Sequence, residues 1–99
     1  MATVLVDAEN VRRSVWPNIP REELEQRCGE WGRRHGHDVI VVWEGAETAD
    51  DRIASDVRNL APPVWVVTSD RELRERVADR TERIIGGGTF ARELPEPDA

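Results

Sequence analysis

Ninety-nine residues supply one hydrophobic core, and 38% hydrophobic with 34% charged residues is the composition of a folded chain rather than a disordered one. All fourteen positive residues are arginine, and they face twenty acids for a net charge of −6. That balance excludes lysine chemistry (a Schiff base, a P-loop clamp) and disfavours long, non-specific tracking along nucleic acid. The longest apolar run, Val39 to Trp43, is far too short to span a membrane. With no basic-then-apolar leader and one cysteine, which cannot form an internal disulfide, the expected location is cytoplasmic.

In chain order, Thr3 to Val6 is a short strand running into Asp7, followed by a polar stretch from Val11 to Asn18 that Trp16-Pro17 breaks. Pro20 suits a first helical position, and Leu24, Cys28, Trp31 and His35 then form a helical stripe that Gly36 ends. Val39 to Trp43 is the second strand. A second helix buries Ile53, Ala54, Val57 and Leu60 and stops at Pro62-Pro63. Val64 to Val67 is a third strand, Arg71 to about Arg80 a third helix, and Arg83 to Ile85 a brief fourth strand. Gly86-Gly87-Gly88 reads as a hinge, with Thr89 capping a last helical turn that carries Phe90 and Leu94.

Strands alternating with helices, and strands that are nearly continuous apolar runs, predict a parallel sheet covered on both faces. The expected fold is a small three-layer α/β sandwich of about four parallel strands, ordered 2-1-3-4. Residues 1–94 form its single domain and 95–99 a frayed tail.

The acids carry the functional signal. Asp7 ends the first strand, Asp50 and Asp51 open the second helix, and Asp70 lies just past the third strand. In an open parallel sheet the working crevice lies beyond the carboxyl ends of the strands, at the point where their order reverses. Order 2-1-3-4 would bring Asp7 and Asp70 to that crevice. Two carboxylates about 4 Å apart repel by about 4 kcal/mol at an effective dielectric near 20. Such a cluster persists when it shares protons or binds a cation. Oxygen ligands alone favour Mg²⁺ or Mn²⁺, which suit phosphoryl chemistry.

Structural roles compete at each position. Thr48 with Asp51 is a capping box, and so is Ser69 with Glu72, which would leave Asp70 in a first turn that favours negative charge. Cys28 shares a stripe with Leu24 and Trp31 and reads as a core thiol, not a zinc ligand beside His35 and His37. Arg12, Arg13 and Trp16 follow Asp7 closely and could meet a phosphate backbone and a base, or could be surface arginines and a packed Trp.

The runs Val6-Asp7-Ala8-Glu9-Asn10, Glu47-Thr48-Ala49-Asp50-Asp51-Arg52-Ile53 and Val64-Trp65-Val66-Val67-Thr68-Ser69-Asp70 resemble the NYN domains. The resemblance is to their YacP-like branch, within the PIN-like superfamily of metal-dependent ribonucleases, and it runs from Val4 to Leu94. It implies a pocket for Mg²⁺ or Mn²⁺ built by Asp7, Asp50 and Asp70, with Asp56 as a further acid. Asn10 matches the polar partner of the first acid, and Thr68 and Ser69 match the residues that position the third. Asp51 would support the second.

The chain departs from that branch in its shorter first connection and in Ala8-Glu9, which replaces a glycine-aromatic pair. The implied activity is divalent-metal-dependent endoribonucleolysis. Arg12, Arg13, Arg71 and Trp16 would contact a short, structured or ribosome-held RNA. A homodimer or a protein partner could supply further basic surface. The alternative is a non-catalytic RNA- or protein-binding module that retains the acidic pocket. A receiver domain or a dehalogenase-type phosphatase would need a lysine, and the chain has none.

Overall fold

The computed structural model describes residues 1–97; Asp98 and Ala99, part of the expected frayed tail, lie outside the described residues. Strands β1 (Thr3–Asp7), β2 (Asp38–Val42), β3 (Val64–Val67) and β4 (Arg83–Ile85) form one sheet in the order β2-β1-β3-β4. All three pairings are parallel. The expected topology is the one observed.

Side chains alternate across the strands and so divide the core in two. Val4 and Val6 face α1 (Ala8–Arg13), α2 (Arg21–His35) and α5 (Gly87–Glu93), where they pack with Val11, Leu24, Cys28 and Phe90. Leu5, Val64 and Val66 face α3 (Ala49–Asn59) and α4 (Arg71–Val77), where they meet Ile53, Val57 and Leu73. Burial drives the Cys28 thiol pKa up to about 12, so it behaves as a small apolar core group.

Several local expectations shift. Pro20 is the N-cap of α2 rather than its first residue, while Gly36 closes that helix in the left-handed region at φ 72°. Leu60 lies just outside α3, as its C-cap. The third helix is α-helical only to Val77 and continues as a 3₁₀ turn, Ala78–Arg80. The stretch after Asp7 holds α1, a six-residue helix with only Ala8 and Val11 buried, too few apolar positions to mark a stripe. The three glycines are not a hinge: Gly86 is the N-cap of α5, and Gly87 and Gly88 form its first turn, so Thr89 caps nothing. Past Leu94, Arg27 Nε donates to the Pro95 carbonyl at 2.8 Å. Among the described residues, no helix is long and apolar enough to cross a membrane.

Candidate acidic site at the carboxyl edge of the sheet

β1 is central, and its last residue, Asp7, emerges between the ends of β2 and β3. Asp7 is 5% exposed, one of two buried polar residues among the described residues; the other is Thr68. The Thr68 hydroxyl donates to Asp7 Oδ2 at 2.8 Å and accepts from the Asp70 backbone N–H at 3.1 Å. One hydroxyl therefore ties the first acid to the backbone of the third.

Asn10, one turn into α1, accepts from the Ser69 N–H at 2.9 Å, and Ser69 Oγ in turn accepts from the Gly87 N–H at 2.8 Å. This chain of bonds fastens α1 and α5 to the segment after β3. Ser69 is thus engaged by α5 and does not cap α4. Asp70 is the cap, with Oδ1 accepting from the Leu73 N–H at 3.0 Å, which corrects the expected Ser69–Glu72 capping box.

Gly87 is required by contact. A Cβ there would run into Asn10 Oδ1, which is already held by Ser69. Gly87→Ala is expected to cost about 1–3 kcal/mol by overpacking, measured by urea denaturation, and to displace the Asn10 side chain. A change below about 0.5 kcal/mol would show that Asn10 moves aside freely.

A cavity of about 490 Å³ opens on this edge, lined by Asp7, Asn10, Arg13, Glu44, Asp50, Ser69 and Asp70 together with Glu9 and Ser14. Glu44 is the acid that sequence reasoning missed. It lies two residues past the end of β2, and Oε2 accepts from the Ala49 N–H at 3.2 Å, beside Asp50 at the start of α3. A carboxylate just past the end of β2 was a signal open to the same reasoning that found Asp7 and Asp70.

Like charges accumulate here. Burial raises the Asp7 carboxyl above the ordinary aspartate value of 3.8, and Asp50 and Glu44 add to the rise against the Thr68 and Asn10 hydrogen bonds. Asp50 is also raised, first by desolvation and then by Asp70 and Glu44.

The remaining sequence-predicted residues fall outside this lining. Thr48 caps the Asp51 N–H at 3.1 Å, one half of the expected capping box, while the Asp51 carboxylate accepts from Arg76 at 3.0 Å. Asp56, six residues beyond Asp50, lies about 240° round the helix and about 9 Å along it, and it pairs with Arg52 at 3.6 Å. Arg71 is exposed at the start of α4. Arg12 is committed elsewhere: it bonds Glu9 and donates Nε–H to the Ile19 carbonyl at 3.1 Å. Arg13 lines the cavity and pairs with Glu9 at 3.0 Å. Trp16 is 89% exposed, so the packed reading of that residue is wrong.

The lining contains no histidine or cysteine, a donor set suited to a hard divalent cation. The carboxylates ring the cavity without closing on one point. Among the described residues, no three His, Cys, Asp or Glu side chains stand together as a metal cage. A larger cavity, about 710 Å³, lies at the opposite end of the sheet among Leu60, Pro62, Pro63, Arg80 and Glu82. Its mixed charge lies at the strand starts, away from the edge where parallel sheets work.

No protein-family model and no curated protein matches the chain. Among solved structures, it is similar to the crystal structure of a mutant of Rae1 (YacP) from Bacillus subtilis. The two align with a TM-score of 0.75 and 24% sequence identity, over 94% of this chain and 74% of the other. Over nearly its whole length, the chain shares the fold of Rae1 (YacP).

Proposed function

We propose that this chain is an NYN-type, PIN-like endoribonuclease dependent on Mg²⁺ or Mn²⁺. The observation that carries the reading is the convergence of Asp7, Glu44, Asp50 and Asp70, from four separate segments, on one cavity at the carboxyl edge. The YacP-like resemblance of the three acidic runs supports it, as does the shared fold.

Asp7, Asp50 and Asp70 would hold the cation, with Glu44 beside them. A bound divalent ion supplies phosphate charge neutralisation and an activated water. The protein's own part is positional. Thr68 fixes the Asp7 carboxylate, and Asn10 and Ser69 brace the segment that carries Asp70. Arg13 gives the wall one positive group for a phosphate. RNA is the proposed partner, and a homodimer or protein partner would offset the chain's −6 charge.

The test is cleavage of RNA with Mn²⁺ or Mg²⁺ by wild type and by Asp50→Asn, each checked for folding by circular dichroism. Metal-dependent cleavage should fall about 100-fold or more in the variant. Undiminished cleavage would overturn the assignment. The open spacing of the carboxylates favours one second reading, a binding module that retains the pocket without hydrolysis. RNA binding with no cleavage at any metal concentration would select it.

A further inference from the structure

Trp16 is the exposed aromatic that the site's hydrogen bonds leave unexplained. At 89% exposure it differs from Trp31, which is buried, and from Trp43 and Trp65, which are partly buried against the core. It lies on the segment between α1 and α2, two residues past Ser14, which lines the acidic cavity. Two residues of chain span at most about 7 Å, so the Trp16 backbone lies within that distance of a cavity-lining residue.

The segment is tied at its base. The Ile19 N–H donates to the Arg12 carbonyl at 3.1 Å, and Arg12 Nε donates back to the Ile19 carbonyl at 3.1 Å. Ser14 Oγ donates to the Val11 carbonyl at 2.6 Å. Arg12 therefore positions the segment, and the indole is carried outward from a closed base.

The ring also stands alone. The other large hydrophobic side chain exposed among the described residues is Met1, at the far end of β1. Of its exposed neighbours in sequence, Arg13, Ser14, Pro17 and Asn18, only Pro17 is apolar. A protein partner needs a patch of several hundred Å² around an anchor, whereas a nucleobase needs one flat ring and a nearby cation. Arg13 on the cavity wall, paired with Glu9 yet still 68% exposed, is that cation.

We infer that Trp16 stacks an unpaired base of a single-stranded RNA whose adjoining backbone enters the acidic cavity past Arg13. This rests on the ribonuclease reading for the use of the cavity, but the stacking itself can be read without cleavage. Trp16 is a positioning residue for the substrate and acts through the strand it holds. Duplex RNA, whose bases are stacked internally, offers the ring nothing.

The test uses the full chain, an unstructured oligoribonucleotide, and the same sequence as a duplex. Binding is followed by tryptophan quenching and by anisotropy of an end label in EDTA, and cleavage is measured separately with Mn²⁺. Trp16→Ala should lose the quenching, weaken single-strand binding about 5- to 100-fold, and place its cleavage defect on KM rather than kcat. Trp16→Phe should restore most of the affinity, and duplex binding should not respond. Equal single-strand affinity in wild type and Trp16→Ala overturns the proposal, and so does a Trp16→Ala change confined to self-association in sedimentation. Wild-type cleavage with an unaltered KM in Trp16→Ala rejects the stacking and leaves the nuclease reading intact. Trp16-dependent binding without wild-type cleavage does the reverse.

Discussion

Asp7→Asn is expected to raise thermal stability at pH 7 while removing metal-dependent cleavage. The Asp7 carboxyl is buried and faces Asp50 and Glu44, and its pKa in the fold lies above the ordinary 3.8. A group raised in this way contributes its full stability below the unfolded pKa and loses it as pH rises through the folded one. At pH 7 the ionised carboxylate is therefore a cost to the fold. Asparagine keeps an acceptor for the Thr68 hydroxyl and removes the charge. A gain of about 0.5–2 kcal/mol is expected at pH 7, shrinking towards zero near pH 3, where wild type is protonated too.

Melting curves across that range check the sign. A divalent ion at 100 times its Kd would stabilise wild type by about 2.7 kcal/mol, or roughly 4–8 °C per kcal/mol, and the variant should lose this response. A variant less stable than wild type at pH 7 would mean that Asp7 is a structural acid with no repulsion to relieve.

Phe90→Ala is expected to cost about 3–5 kcal/mol, measured by urea denaturation. The ring is fully buried and meets Trp31 edge-on, with centroids 4.9 Å apart and planes at 65°. Phe90, Ala91 and Leu94 are the apolar residues that seat α5 on the sheet. α5 also donates the Gly87 N–H to Ser69, so the substitution should loosen the brace behind Asn10 as well. In a domain of about 5–15 kcal/mol total stability, that is a large fraction. A loss under about 1 kcal/mol would show that α5 is held by its N-terminal bonds and not by its core contact.

The sheet was legible because its strands are short apolar runs separated by helical stripes, and that spacing allows few topologies. Asp7, Asp50 and Asp70 were legible as positions at strand ends and helix starts. What escaped depends on contacts distant in sequence. Gly87 looks like part of a hinge until Asn10 is found in the space a Cβ would fill. Ser69 and Asp70 offer two caps one residue apart, and Gly87 decides between them by engaging Ser69. α1 has too few buried residues to show a period. The exposure of Trp16 follows from its segment folding outward, which composition does not encode. Asp56 was misplaced for a simpler reason: six residues along a helix lead to another face.

Amide NMR during a Mn²⁺ titration reads out whether Asp7, Asp50 and Asp70, with Glu44 beside them, act as one cation site. Wild type is compared with Asp70→Asn, in which asparagine can still cap α4. A single site should give broadening confined to the amides around Asp7 to Asn10, Glu44, Asp50 and Ser69-Asp70, and weakened in the variant. Broadening spread over the acidic surface, or none below millimolar Mn²⁺, would contradict it and reduce these acids to caps and surface charge.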